Sequence, residues 1–139
     1  MESASNESRA FAITLRVTPE HIDRLAHVNN SIYLRWIEEA VHAHWAALAT
    51  PQEFAAYEWI AVRHEIDYRS PARLDDVLRV ETALVSVRRV RAWYVSTVTR
   101  GTNVLAEARS CWCCIDATSH RLTPVPAATV ARFLPDRGD

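Results

Sequence analysis

Four polar residues that could take part in catalysis fall within eight positions of this chain, from residue 23 to residue 30. They are the carboxylate of Asp23, the imidazole of His27, and the carboxamides of Asn29 and Asn30, and an apolar helical pattern begins directly after them. Asn is a favoured helix N-cap, because its side-chain oxygen accepts a hydrogen bond from a first-turn N–H. The segment therefore predicts an acid-bearing loop that leads into a helix N-terminus, whose free N–H groups suit a developing oxyanion.

An acid beside an oxyanion site is the minimum equipment for attack on an acyl group. Asp23 can act as the nucleophile or as a general base on water, and both routes stay open. The structural alternative for Asp23 is an Asx turn or a helix cap. His27 is a candidate to orient water or Asp23, with a structural hydrogen bond to the loop backbone as its alternative.

This spacing resembles the signature of the hotdog-fold acyl-CoA thioesterases, the 4-hydroxybenzoyl-CoA thioesterase-like superfamily. That signature is an Asp, three residues, His-Val-Asn-Asn, and a Tyr three residues later; here its residues are Asp23, His27, Val28, Asn29, Asn30 and Tyr33, with Glu38-Glu39-Ala40 following. Two further segments are similar to family features, an aromatic-Pro-Asp bend at residues 68–76 and a closing segment at residues 116–126.

The resemblance implies hydrolysis of an acyl-CoA thioester to a carboxylic acid and free CoA, without a metal or redox cofactor. It implies that Asp23 is catalytic and that the backbone N–H of Asn30 polarises the thioester carbonyl. Asn29 and Tyr33 are candidates for substrate binding, with helix capping as the alternative for Asn29 and core packing as the favoured alternative for Tyr33. The substrate is a CoA or acyl-carrier-protein thioester, and the protein is expected to be a homodimer or homotetramer with sites between protomers.

Three arginines, Arg88, Arg89 and Arg91, cluster at the junction of two strand patterns. Coenzyme A carries a 3′-phosphate and a pyrophosphate, and the planar guanidinium group fits such anions well. The three side chains are therefore candidates for substrate binding. An ordinary charged hairpin end is the alternative interpretation.

The order of elements predicts an α+β hotdog fold, in which a curved antiparallel sheet of five to six strands wraps around one long helix. The helix is predicted over residues 30–48, since Thr50-Pro51 ends it. Alternation predicts that residues 60, 62, 64 and 66 share one face of a strand. The predicted strands are residues 10–17, 58–68, 76–87, 90–99 and 103–115. Residues 10–134 form the predicted single domain, between a disordered segment 1–9 and a frayed segment 135–139.

The net charge and composition of the whole sequence exclude several classes of protein. A formal net charge of −1 gives no global field that would recruit nucleic acid, and no apolar run approaches the roughly 20 residues of a membrane span. With no signal-peptide pattern, a cytoplasmic location is expected. Cys111, Cys113 and Cys114 fit a buried strand better than a metal site. Two rival functions remain: a hotdog enoyl-CoA hydratase or dehydratase, and a non-catalytic acyl-CoA-binding protein.

Overall fold

Five antiparallel strands form a single sheet in the order β1-β3-β4-β5-β2 in the computed structural model, which describes residues 10–135. Their bounds are β1 Ala10–Arg16, β2 Tyr57–Tyr68, β3 Val77–Arg88, β4 Arg91–Arg100 and β5 Asn103–Asp116. The helices are α1 Asn30–Leu48, α2 Pro51–Ala56 and α3 Ala127–Phe133, with a 3₁₀ turn at Pro19–His21. The α+β hotdog prediction is confirmed. The predicted disorder of residues 1–9 and fraying of residues 136–139 lie outside the described residues.

Helix α1 has the bounds that the sequence predicts. The Asn29 side chain caps it by accepting a hydrogen bond from the Ser31 N–H at 2.9 Å. Thr50 and Glu53 then form a capping box at the start of α2, which ends the long helix at the predicted position. One face of α1 packs on the concave face of the sheet through its buried residues, Ile32, Tyr33, Trp36, Ile37, Ala40, Val41, His44 and Trp45.

Strand β2 departs from the predicted alternation because it contains a β-bulge. The register with β5 shifts between Ala61 and Arg63, so that one extra residue interrupts the pleat. Before the bulge Trp59 and Ala61 pack into the core, and after it His64 and Ile66 take that side. The prediction that Ile60 and Val62 share the face of His64 is therefore wrong, and both are about half exposed, at 48% and 50%.

The core divides into two halves along α1. Around the first half of the helix, Tyr33, Trp36 and Ile37 pack with aliphatic residues of the sheet. Around the second half, the core is rich in aromatic rings, with Trp45 stacked on Phe133 at 5.3 Å between ring centroids. His44 lies in this second half and is 3% exposed. The two halves thus differ in chemistry although one helix crosses both.

Helix α3 closes the aromatic half. Its Val130 and Phe133 are buried. The Arg132 guanidinium donates to both carboxylate oxygens of Glu53, at 2.6 and 3.1 Å. This ion pair holds the pKa of Glu53 low, at about 2.

Candidate active site

The Asp23 loop is a tight turn closed by backbone hydrogen bonds. Ile22 and Val28 form an isolated antiparallel bridge, and the Asp23 N–H donates to the His27 carbonyl at 2.8 Å. Ala26 completes the turn with φ +63°, a left-handed conformation that L-residues adopt at a cost. Asp23 Oδ1 accepts from the Leu25 N–H at 2.9 Å. The Asx turn weighed from the sequence is therefore present, and it orients the carboxylate.

The bend between β2 and β3 holds this loop against α1. The Val28 N–H donates to the Ala72 carbonyl, and the Ala72 N–H donates to the Tyr33 hydroxyl, both at 2.9 Å. Ala72 is fully buried, so one residue fixes the loop and the helix together. Arg100 in turn contacts Asp76 at 2.7 Å. Burial raises the pKa of Asp76, but hydrogen bonds from Arg73 and Arg100 outweigh it, so the net pKa is low.

A cleft of about 510 Å³ opens between the loop and the bend. It brings together all five candidates from the Asp23–Tyr33 segment: Asp23, His27, Asn29, Asn30 and Tyr33. The opposite wall comes from the end of β2 and the bend that follows, with Tyr68, Arg69, Ser70 and Pro71. An acid and a helix N-terminus therefore share one wall of a solvent-open cleft.

Asn30 contributes its backbone to this wall. As the first residue of α1, its N–H has no intrahelical partner. Within residues 10–135 no backbone acceptor bonds this N–H, whereas its carbonyl accepts from the Tyr68 hydroxyl at 3.0 Å. The Asn29 side chain is occupied in capping. The geometry thus offers the Asn30 amide, rather than either carboxamide, to a ligand.

The two tyrosines of the cleft are neutral hydrogen-bonding groups. Burial raises the pKa of Tyr33, whose hydroxyl is engaged by the Ala72 N–H. Burial, and then the neighbouring Tyr33, also raise the pKa of Tyr68. Their rings meet edge to face at 5.3 Å between centroids. Tyr33 therefore both packs and lines the cleft.

The structure places the predicted arginines elsewhere. Arg88 and Arg91 pair across the β3–β4 hairpin, and Arg91 lies on the rung of Cys113 and Ile60. The cleft lies at the Tyr68 end of the sheet, seven residues away along β4, which is about 25 Å. Arg88 and Arg89 line a separate cleft of about 460 Å³ with apolar residues of β3, the closing segment and α3.

Sequence reasoning did not nominate the second wall of the cleft as site residues. Tyr68, Arg69, Ser70 and Pro71 stand about forty positions from the acid loop, and only the resemblance of the bend to a family feature pointed at them. Arg69 is ion-paired with Glu107 at 2.9 Å on the cleft rim. Within residues 10–135 no group of three or more His, Cys, Asp or Glu side chains is arranged to hold a metal ion.

Comparison with known proteins identifies the family of this chain. A family model described as the thioesterase-like superfamily matches residues 17–133. The chain belongs to that superfamily. The predicted family and its enzyme class, thioesterase, are thereby confirmed.

Similar proteins align with 77–89% of this chain. The acyl-CoA thioester hydrolase YbgC of Escherichia coli O6:H1 is 27% identical and aligns with 88% of this chain and 95% of its own length. The long-chain acyl-CoA thioesterase FadM of Escherichia coli K12 is 28% identical, over 77% and 84%. The protein SAV2348 of Staphylococcus aureus, solved with CoA, shares the fold with a TM-score of 0.79 at 20% identity, over 89% and 81%.

None of the helices within residues 10–135 has the length and apolarity needed to cross a membrane.

Proposed function

We propose that this protein hydrolyses acyl-CoA thioesters to a carboxylic acid and free CoA. Asp23 is the nucleophile or general base, and the Asn30 N–H polarises the thioester carbonyl. The observation that carries the proposal is the shared cleft wall, in which the acid loop and the first amide of α1 are adjacent. The names of YbgC and FadM support the acyl-CoA substrate, and the CoA complex of SAV2348 supports it further.

Both chemical routes use the same groups. As a general base, Asp23 takes a proton from water while the water oxygen bonds to the carbonyl carbon. The carbonyl oxygen gains charge, which the Asn30 N–H and the dipole of α1 stabilise. The C–S bond then breaks, and the CoA thiolate is protonated. As a nucleophile, Asp23 instead attacks the carbonyl carbon and the C–S bond breaks, so that the CoA thiolate leaves and a mixed anhydride forms. Water hydrolyses the anhydride in a second step, which releases the carboxylic acid and restores the Asp23 carboxylate. His27 lines the same cleft and is proposed to orient the water.

Asp23→Asn tests the proposal, because Asn keeps the size and the Asx-turn acceptor but loses basicity and nucleophilicity. We expect kcat to fall by about 10²-fold or more, with the melting temperature and the circular dichroism spectrum unchanged. The assay is thiol release from short, long and aromatic acyl-CoAs. Asp75→Asn is the matched control, since Asp75 lies on the neighbouring bend outside the cleft at φ +69°, which Asn tolerates.

Turnover by Asp23→Asn within a few-fold of the wild-type rate would reduce Asp23 to a turn residue. Hydration of a crotonyl-type thioester, followed by loss of enoyl absorbance, would instead indicate the hydratase chemistry that the sequence leaves open. Tight acyl-CoA binding by the wild-type protein without turnover would indicate a binding protein.

We further propose that the protein is a homodimer in which β2 pairs with β2 of a second copy. Strand β2 is an edge of the sheet and exposes Ile60 and Val62, and such an edge is a template for pairing. Antiparallel pairing reverses the second sheet, so the Arg88–Arg91 turn of one copy reaches the Tyr68 end of the other. Measured across the strands, the turn of one copy and the Tyr68 end of the other are then about 15–20 Å apart. The nucleotide of a bound CoA would meet the turn of the second copy.

Mixed oligomers test this arrangement. Asp23→Asn and the double variant Arg88→Ala/Arg89→Ala are each expected to be impaired at subsaturating acyl-CoA. Unfolded and refolded together, they should regain roughly a quarter of wild-type activity, because half of the molecules are mixed and each has one intact site. No recovery would place the arginines in the same chain as the acid they serve, or outside the site. A stable monomer in light scattering would exclude the dimer.

A further inference from the structure

A row of three polar side chains crosses the seam between α1 and the sheet, outside the cleft. His64 Nδ1 lies 2.7 Å from Ser110 Oγ, and His64 Nε2 lies 3.3 Å from Glu38 Oε2. Ser110 is fully buried, the His64 side chain is 17% exposed, and the Glu38 side chain is 42% exposed. These polar contacts thus extend from the core, through the imidazole, to the solvent side of α1.

The local fold is arranged to build this contact. The bulge between Ala61 and Arg63 turns His64 towards the core. His64 and Ser110 are directly opposite each other on β2 and β5, and the Trp112 ring meets the imidazole edge to face at 5.9 Å. Buried polar groups are costly unless they are hydrogen-bonded. Both ring nitrogens of His64 have partners, so the imidazole is held in one orientation.

A second polar contact lies along the same seam, at the cleft. There the Tyr68 hydroxyl donates to the Asn30 carbonyl at 3.0 Å. From Asn30 to Glu38, eight residues of helix span about 12 Å. From Tyr68 back to His64, four residues of strand span about 13 Å. The two contacts therefore bracket equal lengths of helix and strand, and they fix the first two turns of α1 against β2.

We propose that Glu38, His64 and Ser110 are positioning residues that hold the N-terminus of α1, and so the Asn30 amide, in place over the cleft. This inference rests on the proposed function for its kinetic consequence. None of the three residues lines the cleft. They act through the rigidity of the segment between the two contacts, because small misplacements of a catalytic group reduce rates steeply.

The kinetic test compares five variants. Glu38→Ala and His64→Ala should each lower kcat about 10-fold and change KM by less than about two-fold, since the amide acts in the transition state. The double variant should be no worse than His64→Ala alone, because His64→Ala already removes the contact with Glu38. Glu38→Gln should restore kcat, since a carboxamide oxygen still accepts from Nε2. Glu39→Ala is the matched control on the adjacent, exposed helix position.

Hydrogen exchange separates this inference from the proposed function. His64→Ala and Glu38→Ala should speed exchange of the first two turns of α1 about 10-fold or more, while Glu39→Ala and Glu38→Gln leave it unchanged. Unchanged exchange at α1, or equal kcat losses in Glu38→Ala and Glu39→Ala, would overturn the positioning role even if Asp23→Asn is inactive. If the wild-type protein hydrolyses no acyl-CoA, the proposed function fails, and the exchange data alone still decide whether the contact holds the helix.

Discussion

The two ends of helix α1 are built from different chemistry. At its N-terminus, a polar loop, a capped first turn and a bend form an open cleft held by single hydrogen bonds. At its C-terminal half, His44 and Trp45 lie among the rings of Tyr94 and Phe133, which α3 covers. One end leaves backbone donors and a carboxylate accessible, whereas the other excludes water.

The contrast indicates a division of labour along one helix. Aromatic burial supplies most of the stabilisation available from single side chains. An open polar cleft contributes little burial but can bind and activate a substrate. Substitutions at the aromatic end should therefore change the free energy of unfolding and spare turnover per folded molecule, while Asp23→Asn should do the reverse.

The largest expected effect on stability is at Phe133. This ring is 6% exposed, stacks on Trp45 and meets His44 edge to face at 5.2 Å. Phe133→Ala should lower the free energy of unfolding by about 3–5 kcal/mol, measured by urea denaturation. The kcat of the folded fraction should stay within about two-fold of wild type. A loss below about 1 kcal/mol would mean that α3 is not part of the cooperative core, and the contrast between the two ends would fail.

A somewhat smaller effect is expected at His44 on acidification. Burial lowers its pKa from 6.5 to about 4, and its Nδ1 lies 2.8 Å from the Tyr94 hydroxyl. The unfolded chain therefore binds the proton more readily than the folded protein between these values. The stabilisation from neutral His44 is complete above pH 6.5 and is lost as the pH falls towards 4, up to about 3 kcal/mol.

The measurement compares urea unfolding of wild type and His44→Gln at pH about 7.5 and about 4.5. Carboxylates titrate in both proteins, so the difference between their pH dependences isolates His44. Wild type should lose more stability than the variant across this interval. Equal losses would show that His44 is not held neutral in the folded protein.

The smallest expected effect is at the cleft end, at Ala26. Its φ of +63° favours glycine, and relief of the Cβ strain outweighs the greater flexibility of the unfolded glycine variant. Ala26→Gly should raise the free energy of unfolding by about 0.5–1 kcal/mol. His120→Gly, at φ +63° in an exposed turn, is the control and should give a similar gain without any change in kcat. A loss of stability in Ala26→Gly alone would show that the alanine side chain supports the acid loop.

The sequence predicts α1 and the acid loop well because their signals are local. Asn29, Thr50 and Pro51 fix the ends of the helix, and the spacing from Asp23 to Tyr33 is contained in eleven consecutive residues. Other features depend on pairing between distant strands. A one-residue bulge in β2 has no compositional signal, and it moved Ile60 and Val62 to the outer face.

The features of the site that the sequence does not predict involve residues that are far apart along the chain. Tyr68 reaches Asn30 only because β2 runs back along α1 towards the acid loop. The position of the Arg88–Arg91 turn follows from the direction of β3 in the sheet, so its chemistry was recognisable but its place was not. The seven residues of α3 are too few for a helical pattern to stand out in the sequence.

The three cysteine thiols of β5 can report when the sheet of the protein unfolds. Cys111, Cys113 and Cys114 are free and buried, and burial raises the pKa of Cys111 and raises that of Cys114 to about 11. Cys111 and Cys114 should react slowly with aromatic disulfide reagents, because the thiolate is the reactive form, and Cys113 is only 3% exposed to the reagent. When such a reagent is used to detect released CoA, the folded enzyme itself will therefore contribute little colour. A slow second phase of colour, independent of substrate, will count molecules whose sheet has come apart during the assay.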